Sequence, residues 1–216
     1  MTLFERLKAD NRSVWETYTG HAFVRRMADG SLPQAAFRRY LVQDYLFLIQ
    51  FARAYALAAY KSDTLADIRQ AAAGLSAIVD VEMGLHVKFC AKWGLTETQM
   101  EAEDSALETL AYTRFVLERG VAGDLLDLHV ALSPCIIGYA EIGKAARPSA
   151  DTPYKAWFEM YASDDYQASA RAEVDQLDKL MDARAGEGRY PALAAVFTTA
   201  TRLETDFWQM GLDAAG

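Results

Sequence analysis

The sequence predicts an all-α chain, a multi-helix bundle folded as a single domain over residues 1–216. Three observations predict it. Ala, Leu, Glu, Gln and Arg dominate, while β-branched residues are sparse and rarely alternate with polar ones. Helix start and stop signals recur along the chain. The segments between them are short, which implies antiparallel neighbours.

Each element follows from its punctuation. The first two helices are read over 2–19 and 21–29. Gly30-Ser31-Leu32-Pro33 closes the second and opens a third over 33–61, with glycine past the end and proline at the start. Ser62-Asp63 and Gly94 bracket a fourth over 64–93. Gly120 and Gly123-Asp124 separate a helix over 104–119 from one over 124–146. Asp151-Thr152 places a cap before Pro153 and a helix over 153–161. A helix over 164–185 follows, and Gly186-Glu187-Gly188 with Pro191 precedes the last, over 191–212. No internal repeat is visible.

Composition narrows the function. The net charge of -8 repels phosphate backbones and argues against a nucleic-acid partner. Two cysteines, Cys90 and Cys135, make neither a disulfide framework nor a zinc-type spacing. The first residues lack the charged and apolar regions of a signal peptide, and no apolar run suggests a membrane span. The expectation is a cytoplasmic protein with no membrane partner.

Polar residues that interrupt apolar helical stripes are the candidate site residues, because a core-facing stripe should be apolar. Asp44 sits in the stripe Tyr40, Asp44, Phe47, Phe51. A buried carboxylate must be paired, hydrogen-bonded or protonated, so Asp44 is either a ligand contact or a structural group bonded to a tyrosine or arginine. The fourth helix carries Ile68, Ala72, Leu75, Val79, Glu82, His86, Phe89 and Trp93 on one predicted inward face. Glu82 and His86, four apart, read as a structural pair or as two ligands of a metal centre that lacks further histidines. Cys135 lies in the stripe Leu125, Leu128, Leu132, Cys135, Tyr139, Ile142, directly after Pro134. That proline frees the carbonyl of Val130 and should kink the helix beside the thiol. Cys135 is then a nucleophile or a small buried hydrophobe. Cys90, beside Phe89, reads as buried and inert. Glu204 is the one carboxylate in the stripe Leu193, Val196, Ala200, Glu204, Phe207. Convergence of Asp44, Cys135 and Glu204 within aromatic walls would make a pocket for a flat, partly polar ligand, with covalent and acid–base chemistry.

Six segments in order resemble the TenA/thiaminase II family. They are Gly30-Ser-Leu-Pro33 with Phe37-Arg-Arg-Tyr-Leu-Val-Gln-Asp-Tyr45, Glu82-Met-Gly-Leu-His86, Ala111-Tyr112, Leu132-Ser-Pro-Cys-Ile-Ile-Gly-Tyr-Ala-Glu-Ile-Gly143, Trp157-Phe-Glu-Met-Tyr161 and Glu204-Thr-Asp-Phe-Trp208. The resemblance covers almost the whole chain. It implies a haem-oxygenase-like helical bundle, a homotetramer, no cofactor and no metal site. It implies hydrolysis of 4-amino-5-aminomethyl-2-methylpyrimidine, a thiamin breakdown product, to the hydroxymethyl pyrimidine, as a step of thiamin salvage. Many members also cleave thiamin. Cys135 falls on the nucleophile, Asp44 on the substrate-binding aspartate and Glu204 on the terminal glutamate. Phe47, Tyr112, Tyr139 and Tyr161 fall on ring-binding positions, with Phe47 where the family commonly has tyrosine. In the implied scheme both oxygens of Asp44 meet the amidine-like edge of the pyrimidine. Cys135 adds to the ring and Glu204 serves the leaving amine and the water. Rival readings are a pyrimidine-binding module without turnover, a regulatory protein of the same fold, and a haem- or di-iron-using relative.

Overall fold

The computed structural model describes residues 1–184 and 186–214. It is 83% helical, with no strand among the described residues. In chain order the α-helices are α1 (Leu3–Asp10), α2 (Arg12–Thr19), α3 (Ala22–Asp29), α4 (Gln34–Lys61) and α5 (Leu65–Ser76). A π-helical turn, Ala77–Glu82, joins α5 to α6 (Met83–Ala91). Then come α7 (Glu97–Glu101), α8 (Leu107–Ala122), α9 (Leu125–Ala145), α10 (Lys155–Ala162) and α11 (Asp164–Arg184). A 3₁₀ turn, Glu187–Arg189, leads into α12 (Tyr190–Asp213).

The differences from the sequence reading have local causes. The predicted helix 2–19 is two helices, because Asn11 ends the first. Its side-chain amide and backbone N–H both donate to the Leu7 carbonyl, at 2.9 and 3.1 Å. The short α7 was missed, although Thr96 and Gln99 form a complete capping box in front of it. Gly120 is no helix stop: α8 runs past it. A β-carbon there would come within 2.7 Å of Leu57, so glycine serves close packing. The last residue of the predicted helix 164–185 lies outside the described residues. Contrary to the hydropathy reading, α9 is long and apolar enough to cross a membrane by composition, but 89% of its most apolar window is buried inside the protein.

The fourth predicted stripe is the largest correction. Ile68 is 39% and Val79 50% exposed, while Asp67, Ala71 and Ile78, one residue back, are buried. Beyond the π turn the prediction holds, with His86 and Phe89 inward. A π turn inserts an extra residue and shifts the phase of everything after it. No single 3.6-residue stripe can fit both halves.

The chain forms two compact units, Met1–Leu32 with His129–Trp208, and Pro33–Leu128 with Gln209–Gly216. The first has an aromatic core in which Phe4, Trp15 and Phe197 meet at 5.4–6.0 Å between ring centres. Burying each such side chain contributes ~1.5–3 kcal/mol. Glu141 of α9 accepts from Lys8 of α1 at 2.7 Å and from the Trp15 indole of α2 at 3.0 Å. His129 of α9 and Glu173 of α11 pair at 2.8 Å, both buried. In the second unit α4 is buried around much of its circumference. The Lys61 ammonium at its end reaches the carbonyls of Gly120, Val121 and Gly123, where α8 leaves acceptors without helical partners.

Candidate active site

The predicted site residues fall into two groups. In the second unit, α4 carries Asp44, which is buried. Tyr40, one turn earlier, donates its hydroxyl to Asp44 Oδ2 at 2.8 Å. His86 Nε2 lies 2.6 Å from the same oxygen, and His86 Nδ1 lies 2.9 Å from the Glu82 carbonyl. Burial alone would lower the pKa of this fully enclosed imidazole. The Asp44 carboxylate, together with Glu82, outweighs that and leaves it raised above the ordinary value. Glu82 therefore meets His86 through its backbone, and the side-chain partner of the histidine is Asp44. Phe47, one turn beyond Asp44, stacks on Phe51 at 5.0 Å and meets Tyr112 of α8 at 4.9 Å. Beside Asp44, the Gln43 side chain accepts from the Ala106 N–H and the Thr109 hydroxyl, at 2.8 and 2.7 Å, and donates to the Asp104 carbonyl at 3.0 Å. It pins the segment that starts α8 and so sets where Tyr112 stands.

In the first unit, α9 carries Cys135 and, one turn on, Tyr139, both buried. Pro134 cannot donate to the Val130 carbonyl, and the Ser133 hydroxyl does so instead at 2.9 Å. The Tyr18 hydroxyl donates to the Pro134 carbonyl at 3.2 Å. A β-carbon on Gly138 would sit 2.4 Å from the Tyr18 ring, so only glycine lets α2 approach α9 there. Tyr139 meets Tyr161 of α10 at 4.9 Å and Trp208 of α12 at 5.2 Å. Trp157 closes the ring cluster, 4.4 Å from Tyr161 and 5.6 Å from Tyr139. Glu204 is buried on α12, one turn before Trp208. Cys135 and Glu204 thus each lie one helical turn before a partner in the Tyr139–Trp208 contact. A thiol and a carboxylate so placed can supply a nucleophile and a proton carrier.

The structure accordingly brings together Asp44, Phe47 and Tyr112, and separately Tyr139 and Tyr161 with the neighbouring positions of Cys135 and Glu204. The sequence reading did not assign Tyr40, Gln43, Trp157 or Trp208 to the site. Tyr40 was legible, since it precedes Asp44 by four on one helix face. Gln43 gave no signal, because its partners lie 61 to 66 residues away. Cys90 and Cys135 are both buried, and neither is in a disulfide. Burial pushes Cys90 up to about 11, consistent with an inert group. Among the described residues no three His, Cys, Asp or Glu side chains gather as a metal site would require.

The sequence profile described as "TENA/THI-4/PQQC family" matches residues 8–214. An aminopyrimidine aminohydrolase from Halalkalibacterium halodurans is 37% identical over 91% of this chain and 89% of its own. The yeast (Saccharomyces cerevisiae) hydroxymethylpyrimidine/phosphomethylpyrimidine kinase THI20 is 29% identical over 92% of this chain but only 37% of its own length. Among solved structures, a TenA family transcription regulator from Silicibacter sp. TM1040 superposes with a TM-score of 0.93 at 44% identity, covering 97% of this chain and 96% of that one. A domain of unknown function from Shewanella denitrificans with a haem oxygenase-like fold has a TM-score of 0.75 at 14% identity, covering 98% of this chain and 91% of that one, a likeness of fold alone.

Proposed function

The chain belongs to the TENA/THI-4/PQQC family, and on that premise we propose that it is an aminopyrimidine aminohydrolase of the thiaminase II type. It hydrolyses 4-amino-5-aminomethyl-2-methylpyrimidine to the hydroxymethyl pyrimidine for thiamin salvage. The observation that carries the reading is the placement of Cys135 and Glu204, both buried, each one turn from the Tyr139–Trp208 contact. The kinship with a named aminopyrimidine aminohydrolase supports it. So does the yeast relative, named for a kinase of hydroxymethylpyrimidine, which carries a stretch like this chain. A hydrolase making that alcohol and a kinase consuming it act in sequence.

In the reaction, Asp44 hydrogen-bonds the pyrimidine edge while Tyr112, Tyr139, Tyr161 and Phe47 hold the ring. The Cys135 thiolate adds to a ring carbon. The exocyclic C–N bond breaks, and Glu204 gives the departing amine its proton. Glu204 then takes a proton from water, whose oxygen adds to the methylene carbon. Expulsion of the thiolate restores the aromatic ring. The enzyme acts in the cytoplasm as a homotetramer, a mass that light scattering on the purified chain measures.

The test is an assay of ammonia and pyrimidine alcohol release, with the aminomethyl pyrimidine and thiamin offered side by side. Turnover of the aminomethyl pyrimidine is expected, and Cys135→Ser should abolish it while product still binds. Near-full activity in Cys135→Ser would refute covalent catalysis. A specific feature favours one other reading, a pyrimidine-binding protein without turnover: Phe47 lacks the hydroxyl of the tyrosine that commonly stands there. Product binding by a wild-type chain inert towards both substrates would establish that reading instead.

A further inference from the structure

The reaction scheme gives no task to His86, a buried titratable group in contact with Asp44. We infer that His86 is the positioning residue of Asp44: its doubly protonated ring and the Tyr40 hydroxyl together hold Oδ2, so that Asp44 offers a ligand Oδ1 alone. The inference rests on the reading above that Asp44 meets the pyrimidine.

The geometry fixes the protons. The Glu82 carbonyl, 2.9 Å from Nδ1, can only accept, so Nδ1 carries a hydrogen. Nε2 lies 2.6 Å from a carboxylate oxygen, a separation that needs a proton between the two atoms, and the imidazole, ordinarily the stronger base of the two, takes it. A ring with a proton on each nitrogen is an imidazolium, and it faces a carboxylate. The charged groups that act on it are Asp44 of α4 and Glu82 of the π turn, both acidic. The Tyr40 hydroxyl, also from α4, completes the cluster. A carboxylate oxygen has about two in-plane lone-pair sites, and on Oδ2 both are taken. Oδ1 receives no hydrogen bond from the described residues.

This revises the scheme in which both oxygens of Asp44 grip the pyrimidine edge. The exocyclic amine of the pyrimidine must donate to Oδ1. The pair is also neutral overall, so it suits a neutral aminopyrimidine better than a protonated one. The π turn is what delivers the histidine. From the buried Asp67, an unbroken helix of about 3.6 residues per turn would bring residue 85 inward five turns on. The extra residue of the turn brings 86 there instead.

Nitrogen-detected NMR on the full-length chain, uniformly labelled with ¹⁵N, tests the proton assignment. The chain has three histidines, and His86→Gln identifies the signal. Both nitrogens of His86 should show protonated-type shifts at pH 7.5, where a free imidazole has mostly lost its charge. In Asp44→Asn the Nε2 signal should become unprotonated. An unprotonated Nε2 in the wild-type chain overturns the inference. Calorimetric binding of the hydroxymethyl pyrimidine reads the positioning. His86→Gln keeps a donor near Oδ2 and should bind roughly tenfold more weakly, whereas His86→Leu keeps none and should lose roughly a hundredfold. Wild-type affinity in a folded His86→Leu also overturns it. A protonated pair in a wild-type chain that neither binds nor hydrolyses the pyrimidine would instead overturn the proposed function and leave the His86 assignment standing.

Discussion

At the scale of single residues, the chemistry depends on what each buried group is given to face. Glu204 is enclosed on α12 one turn from Trp208, which suits a proton carrier shielded from bulk water. Glu204→Gln should therefore lower kcat by ~10²–10⁴ with little change in product affinity, and an unaltered kcat would remove it from proton transfer. Phe47 packs between Phe51 and Tyr112. Phe47→Tyr adds a hydroxyl where the ring at 47 offers only carbon, and a rise or broadening of turnover across the two substrates is the expected result. A fall would mean that the wall is shaped for another ring. The burial of Asp44, Cys135 and Glu204 was legible from the sequence because each is a polar interruption of an apolar helical row. The partner that defines Asp44 was not. His86 was paired with Glu82 on spacing alone, and only the fold reveals that a residue 42 positions away holds the carboxylate.

At the scale of elements, two local departures from ideal helix matter. In α9, Pro134 removes one backbone donor and Ser133 supplies another. Ser133→Ala leaves the buried Val130 carbonyl without that bond, so the variant should lose about 1–3 kcal/mol in a denaturant titration. A loss below a few tenths would show that another donor takes over. The proline was visible in the sequence, whereas its compensation by the preceding serine was not read. The π turn shows why periodicity reads long helices better than their phase. The 64–93 segment was correctly read as continuous helix. One extra residue per turn between 77 and 82 put Ile68 and Val79 outside and left His86 inside. Nothing in Ala-Ile-Val-Asp-Val-Glu marks that insertion. The role of Gly120 was likewise decided by a neighbour distant in sequence, Leu57, whereas α7 carried a local capping box that marks it.

At the scale of the whole molecule, the His86–Asp44 pair links folding to pH. The pKa of His86 is raised in the folded chain by Asp44, against the effect of burial. The stabilisation it brings is fully present below the unfolded value, near 6.5. It fades as pH climbs through the raised folded value. The Tm advantage of the wild-type chain over His86→Gln should therefore be largest in mildly acidic buffer and shrink as the buffer is made alkaline. A gap that widens with pH would contradict the pairing. The aromatic packing has a further, optical consequence. Trp15, Trp157 and Trp208 are all buried in one unit, and two of them stand beside Tyr139. Their emission should be blue-shifted, and a flat ligand settling against these rings should quench it without any added dye. The polypeptide carries a built-in lamp for titrating its own occupancy.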